Sequence, residues 1–260
     1  MALAAKTFRT RGITLVELLA VVFTIAALAA LLLPVLNKAR IKAQHTTCLS
    51  NLRQSGIAWL MYSSDNNGRL VESYPLNNSN AWVLGDMRNA REAVSLDLLR
   101  QGKLYPYHRN TGIYHCPADQ GVTVDGKTLQ SVRSYSMNAF MGFRDPTIGP
   151  IPPDASKFVL FYSKENEIPK PSTIWVLLDE DERSINDGFF VPDPDAQMWI
   201  DFPAASAHRH NFSFALHFAD GHSDIWRYKD PATRKLKHNK TPQAGNVDLE
   251  RLARASATPK

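Results

Sequence analysis

The sequence predicts an α+β fold: one long N-terminal helix, apolar in its first half and amphipathic in its second, packed on an antiparallel sheet with inserted loops. Three observations predict it. Residues 13–36 read ITLVELLAVVFTIAALAALLLPVL, with Glu17 as the only charge. Ile41, Cys48, Leu52, Trp59 and Met61 or Tyr62 then recur near helical spacing, with Lys38, Arg40, Lys42, Arg53 and Gln54 between them. The C-terminal half holds short apolar runs separated by turn residues, of which 212–218 and 223–228, around Asp220-Gly221, form the clearest strand pair.

Composition narrows the function classes. Of the 260 residues 44% are hydrophobic and 21% charged, enough to build a core and inconsistent with global disorder. Two cysteines exclude a disulfide-dense scaffold and a four-cysteine zinc site, but allow one bridge. The formal charge of +5 sits at the two ends. Residues 1–12 hold Lys6, Arg9 and Arg11 with no acid, and 229–260 hold eight Lys/Arg against Asp230, Asp248 and Glu250. The body between them therefore carries about −3, so nucleic acid is not an expected partner.

At ~1.5 Å per residue a 24-residue helix spans about 36 Å, more than the ~30 Å of a bilayer core. The basic flank precedes it, which places the N-terminus in the cytoplasm and the body outside, in the periplasm or on the cell surface. A secretory signal with a cut among Ala26–Ala30 and a plain single-pass anchor share much of this composition. Neither accounts for Glu17 inside the apolar segment, where an unpaired carboxylate is costly.

The run RTRGITLVELL, with its basic leader, Gly12, Ile13 and Glu17, resembles the processing site of type IV prepilins and type II secretion pseudopilins. The resemblance implies cleavage after Gly12 by a prepilin peptidase and methylation of the new N-terminus at Ile13, where many members have Phe. Glu17 then becomes the fifth mature residue and Pro34 the twenty-second, a common proline position in pilin helices. Glu17 beside a neighbour's N-terminal amine would select subunit register as helices stack; a Glu that reaches the interface from the helix start is the simpler alternative. The segment CLSNLRQSGIAWLMYSSDNNGRL, YHCPAD around Cys116, SYSMN around Tyr135 and His210-x9-Asp220-Gly221 are similar to a large group of prepilin-like proteins with a C-terminal H-x9-DG element. Together they imply a leader at 1–12, a transmembrane helix at 13–36, its amphipathic continuation at 37–68, an extracytoplasmic head at 69–228 and a basic tail at 229–260. The implied partners are the peptidase, identical or related subunits, the inner membrane and a secretion or pilus assembly platform. The implied function is that of a structural subunit, not an enzyme. The alternative is a membrane-anchored enzyme or a ligand- or metal-binding surface protein that borrows this export signal.

Within the head, 91–104 reads as a short helix with Val94, Leu98 and Leu99 inward and Gly102 ending it. Residues 158–163 and 173–178 are apolar enough for central strands, 146–153 reads as a loop, and 247–254 as a short terminal helix. A two-residue Asp220-Gly221 turn pairs His217 with Asp224 and Ala215 with Trp226. It puts Phe212, Phe214, Leu216 and Phe218 on the core face, and His217, His222, Asp224 and Trp226 on the other.

Two clusters invite chemistry. Asp179, His210, Asp220 and His222, with His208, Glu180 and Asp181 nearby in sequence, are candidates for a divalent ion: imidazole favours zinc or copper, and carboxylates favour calcium. No cofactor is required, and the plainer expectation is turn chemistry at Asp220-Gly221, a loop hydrogen bond at His210 and a solvated acidic run. Cys48, on the helix face, and Cys116 are expected to form a disulfide across 67 intervening residues, worth roughly 2–4 kcal/mol; two buried free thiols are the alternative. There is no Gly-x-Ser-x-Gly, phosphate loop or His-Glu-x-x-His.

Overall fold

The computed structural model describes residues 14–74, 79–142 and 161–258. The processing residues Gly12 and Ile13, the loop 146–153 and the first half of the apolar run 158–163 lie outside them. The chain divides into two units between Lys42 and Ala43.

In the first unit the apolar half of α1 (Leu15–Asp65) is exposed along its length, from Leu15 at 79% to Leu36 at 66%. Thr14 caps its start. The Glu17 carboxylate accepts from the Thr14 backbone N–H at 2.9 Å and hydroxyl at 2.8 Å, while the Glu17 N–H reaches the Thr14 hydroxyl at 3.3 Å. This reciprocal arrangement is a capping box, which satisfies donors that a helix start otherwise leaves unpaired. Pro34 lies inside α1, which continues as α-helix through it.

In the second unit the same helix turns amphipathic. Cys48, Asn51, Leu52, Ser55, Gly56, Trp59 and Ser63 are buried, at the three- and four-residue steps of one face. Met61 points out and Tyr62 is half-buried. The helix stops where Asn67 and Gly68 take left-handed backbone angles and the Gly68 N–H returns to the Ser63 carbonyl.

A small hairpin of β1 (Val122–Val124) and β2 (Lys127–Leu129) precedes the main sheet. That sheet is built from β3 (Tyr135–Asn138), β4 (Trp175–Asp179), β5 (Phe189–Phe190), β7 (Ser213–Phe218) and β8 (Ser223–Arg227), in the order β5-β3-β4-β7-β8. The expected sheet was antiparallel; the observed one is mixed, because β5 pairs with β3 in parallel. The apolar run around Trp175 is its central strand, as expected. Residues 161–163 are not strand, and Tyr162 contributes one isolated bridge to Met141.

Both faces of the sheet are covered. Tyr135, Met137, Leu177 and Ala215 pack with Cys48, Leu52 and Trp59 of α1. Trp175, Leu178, Phe214, Leu216 and Phe218 pack with Leu249 and Leu252 of the C-terminal helix α4 (Val247–Arg254). That is why every residue of β4 and β7 is buried. The stretch read as a basic tail is thus part of the head: Thr233 and Leu236 are buried, β6 (Met198–Trp199) pairs with β9 (Thr241–Pro242), and Asn246 caps α4. The helix expected over 91–104 is shorter, with α2 (Leu96–Gln101) followed by α3 (Tyr105–His108). Leu99 is buried, but Val94 is 48% exposed.

The hairpin register differs from the expected one by a single residue. The Phe218 N–H donates to the His222 carbonyl and the Gly221 N–H to the Phe218 carbonyl, so the loop has three residues, Ala219–Gly221, with Gly221 at φ 94°. His217 therefore faces Ser223, Leu216 faces Asp224 and Phe214 faces Trp226. Trp226 moves to the α4 side, where Arg251 stacks over its ring at 3.6 Å. His222 stacks on Phe218, with ring centroids 4.2 Å apart.

His217, expected on the face away from the core, is fully buried against Gly56 of α1, with Nδ1 2.9 Å from the Ser223 hydroxyl. Burial lowers its pKa to about 4, so the folded head keeps this imidazole neutral. Below pH ~6.5 the unfolded chain takes up a proton that the folded chain refuses until about pH 4, and stability falls across that window by roughly 3 kcal/mol. A His217→Asn variant lacks this term, so its stability gap to the native chain should narrow on going from pH 7 to pH 4. Urea midpoints at both pH values check this, and a pH-independent gap would refute it.

Candidate metal centre

Four side chains from four distant segments converge beside the α1–sheet contact. Cys48 comes from the buried face of α1. Cys116 follows the 3-10 turn Thr111–Tyr114, fixed by its own N–H donating to the Ser134 hydroxyl at 2.9 Å. Asp179 ends β4, and His210 precedes β7. One donor atom from each lies within 4.8 Å of all the others, and none of the four residues is more than 2% exposed. The His210 Nε2 is 3.1 Å from the Cys116 Sγ and 3.4 Å from Asp179 Oδ2. The Tyr135 hydroxyl donates to the Cys48 Sγ at 3.3 Å.

The backbone that presents His210 is unusual. His210, Asn211 and Phe212 have φ of 54°, 53° and 58°, three successive non-glycine residues in the left-handed region. Such conformations persist only where surrounding contacts over-determine them, and they gather at functional sites. The Ser213 hydroxyl donates to the His210 carbonyl and helps hold the turn.

Arg209 organises the charges around this cluster. Its guanidinium is fully buried. Nη2 donates to Asp179 Oδ1, while Nη1 donates to Glu182 Oε2 at 2.8 Å and lies 3.4 Å from Asp119 Oδ2. Burial alone would depress its pKa, but Asp179 and Asp119 outweigh burial and keep it charged. Asp179 is thereby oriented: Oδ1 is held by Arg209, and Oδ2 turns toward Cys48, Cys116 and His210 with no hydrogen-bond partner. The acidic run expected to be solvated is buried at all three positions. Asp181 accepts from Arg183 and from the Ala205 N–H, and Glu180 accepts from the Ser184 hydroxyl.

Burial raises the Cys48 thiol. At Cys116 burial acts the same way, but hydrogen bonds from Cys48 and His210 prevail and bring it down to about 6. Burial opposes protonation of His210, yet Asp179 and Cys116 raise it to about 9. A catalytic Cys–His–Asp relay needs the nucleophile and the acid on opposite ring nitrogens. Here both face Nε2, while Nδ1 has no hydrogen-bond partner. The donors share a centre instead of forming a chain.

The outcome for the expected site residues is mixed. Asp179 and His210 come together as expected. Asp220 and His222 do not join them: Asp220 Oδ1 lies 2.5 Å from His222 Nδ1 in the exposed hairpin turn. The places of these two residues are taken by Cys48 and Cys116, which were expected to be bonded to each other and are instead two free, buried thiols. Two sulfurs, an imidazole and a carboxylate suit zinc and disfavour calcium, which takes oxygen ligands. Among the described residues this is the one such grouping of three or more donors. Comparison with protein-family models, curated proteins and solved structures finds no match to this chain.

Proposed function

We propose that the protein is a pilin-like, membrane-anchored structural subunit of a type IV pilus-like or type II secretion pseudopilus filament. In this reading a prepilin peptidase cuts it after Gly12, it is held in the inner membrane with its N-terminus cytoplasmic, and it assembles with identical or related subunits on an assembly platform. The observation that carries this reading is the helix α1 itself. One continuous α-helix has an apolar first half with no buried residue and a second half whose inner face is built into an α+β head. An ordinary anchor has no need of that continuity, whereas a filament that stacks helices and displays heads uses both halves. A structural role is further supported by the sealed Cys–His–Asp cluster, whose geometry is convergent and offers a substrate no access.

Mass determination of the native N-terminus from membranes tests processing. The expected product begins at Ile13 and is methylated; an intact leader in cells with active peptidase would overturn the reading.

The capping box gives Glu17 a second role that the same system separates from the first. Gln retains the capping geometry and removes the charge, whereas Ala removes both. If Glu17 pairs with a neighbour's amine, Glu17→Gln and Glu17→Ala both insert into the membrane and both lose filament assembly. Sedimentation of sheared filaments reads the result, and normal assembly of Glu17→Gln would reduce Glu17 to a helix cap.

A further inference from the structure

We propose that Cys48, Cys116, Asp179 and His210 bind one zinc ion, which ties the second half of α1 to the central sheet. The proposal goes beyond the filament reading and does not depend on it: the head holds the ion whether or not the chain polymerises.

The donor set is the first argument. A tetrahedral zinc with bonds of ~2.3 Å to sulfur and ~2.0–2.1 Å to nitrogen or oxygen separates its ligand atoms by roughly 3.3–3.8 Å. The observed separations of 3.1 and 3.4 Å, and the 4.8 Å bound on all of them, are close to that size without rearrangement of the backbone.

Asp179 Oδ2 also points to a metal: it makes no hydrogen bond and lies 3.4 Å from His210 Nε2. Asp179 is fully buried, Arg209 holds its Oδ1, and its Oδ2 is aimed at the other three donors without a hydrogen bond. A buried anionic oxygen in that position calls for a cation; a protonated His210, 3.4 Å away, would supply one but leave both sulfurs unused. A disulfide between Cys48 and Cys116 would use both sulfurs and leave this oxygen facing neutral sulfur. A zinc ion instead uses all four donors. With two thiolates, one carboxylate and a neutral imidazole, the dication leaves a single negative charge, beside the buried Arg209 guanidinium that holds Asp179.

Third, the surroundings orient the ligands, as outer partners of metal ligands do. Arg209 fixes Asp179, Tyr135 donates to Cys48, and the Ser134 hydroxyl holds the Cys116 backbone. The ligands come from α1, the loop after the Thr111–Tyr114 turn, the end of β4 and the strained turn before β7, so binding couples to folding of the whole head. Full burial and four protein ligands define a closed, structural site.

The test uses the full-length chain in detergent, purified reduced and without chelator. Elemental analysis should find one zinc per chain, and both thiols should resist modification until the zinc is removed. Replacement by cobalt(II) should give thiolate-to-cobalt charge-transfer absorption and the visible bands of a tetrahedral ion. Cys48→Ser should halve the charge-transfer absorption, His210→Ala should weaken zinc binding by more than about 100-fold, and Asp220→Asn should bind like the native chain. Should the ligand variants fail to fold, the cobalt spectrum of the native sequence still decides. Less than about a tenth of an equivalent of zinc after reconstitution, with no thiolate–cobalt absorption, overturns the proposal. So does recovery of a Cys48–Cys116 disulfide from native membranes, or unchanged zinc affinity in a folded His210→Ala.

Discussion

Replacing Arg209 with Met should destabilise the head by about 3–5 kcal/mol, the usual cost of breaking a buried ion pair from one side. The side chain is fully buried and faces three carboxylates, those of Asp179, Glu182 and Asp119. Methionine fills much of the volume, so the loss is electrostatic and not a cavity effect. Without the guanidinium the three acids repel one another in a low-dielectric setting, with their desolvation no longer offset. Arg209→Lys keeps a charge but not the planar fork that reaches separate acids through Nη1 and Nη2, and should fall between the two. Urea midpoints at pH 7 measure the effect. A loss under about 1 kcal/mol at pH 7 would show that the charges around Arg209 are relieved in some other way.

The same residue shows where sequence reading stops. The long helix was legible because its signals are local: an apolar run, a following stripe at three- and four-residue spacing, and a turn at Asn67-Gly68. The strand around Trp175 and the helix Val247–Arg254 were legible for the same reason. The hairpin was visible but its register was not. Asp-Gly is the signature of a two-residue turn, and nothing local distinguishes that turn from the three-residue loop that the chain adopts. That one-residue difference moves Trp226 onto the same face as Phe214, Leu216 and Phe218, the side that α4 covers. The central cluster was harder still. Each of its four members stood out by residue type, but they fell into two separate expectations, a disulfide and a metal set completed by Asp220 and His222. Their convergence depends on contacts between α1, β4 and the turn before β7, and no sequence period encodes those contacts. The acidic run at Asp179–Asp181 looked solvated because charge ordinarily signals the surface. It is buried because Arg209 and the Ala205 N–H come to meet it from elsewhere in the chain, while Arg183 and Ser184 fold back onto it from the next residues.

Gly56→Ala should cost about 3 kcal/mol or more, although helix propensity alone would make it stabilising by ~1 kcal/mol. Gly56 lies in the buried stretch of α1, opposite His217 of β7. A methyl group there would sit 1.7 Å from His217 Nε2, with two ring carbons at 2.1 and 2.2 Å. The imidazole cannot swing away cheaply, because it is fully buried and Nδ1 is held beside the Ser223 hydroxyl at 2.9 Å. Helix and sheet must therefore separate, and that movement disturbs Cys48 and Leu52 on the same helix face and Ala215 on the same strand. The second substitution isolates the cause. His217→Ala alone leaves a cavity and should cost ~2–4 kcal/mol, but in that background the added methyl has room. Gly56→Ala should then be nearly neutral or mildly stabilising, giving a coupling energy above about 1.5 kcal/mol in the double-mutant cycle. Additive losses would mean that something other than the closeness of α1 and β7 at this position makes glycine necessary.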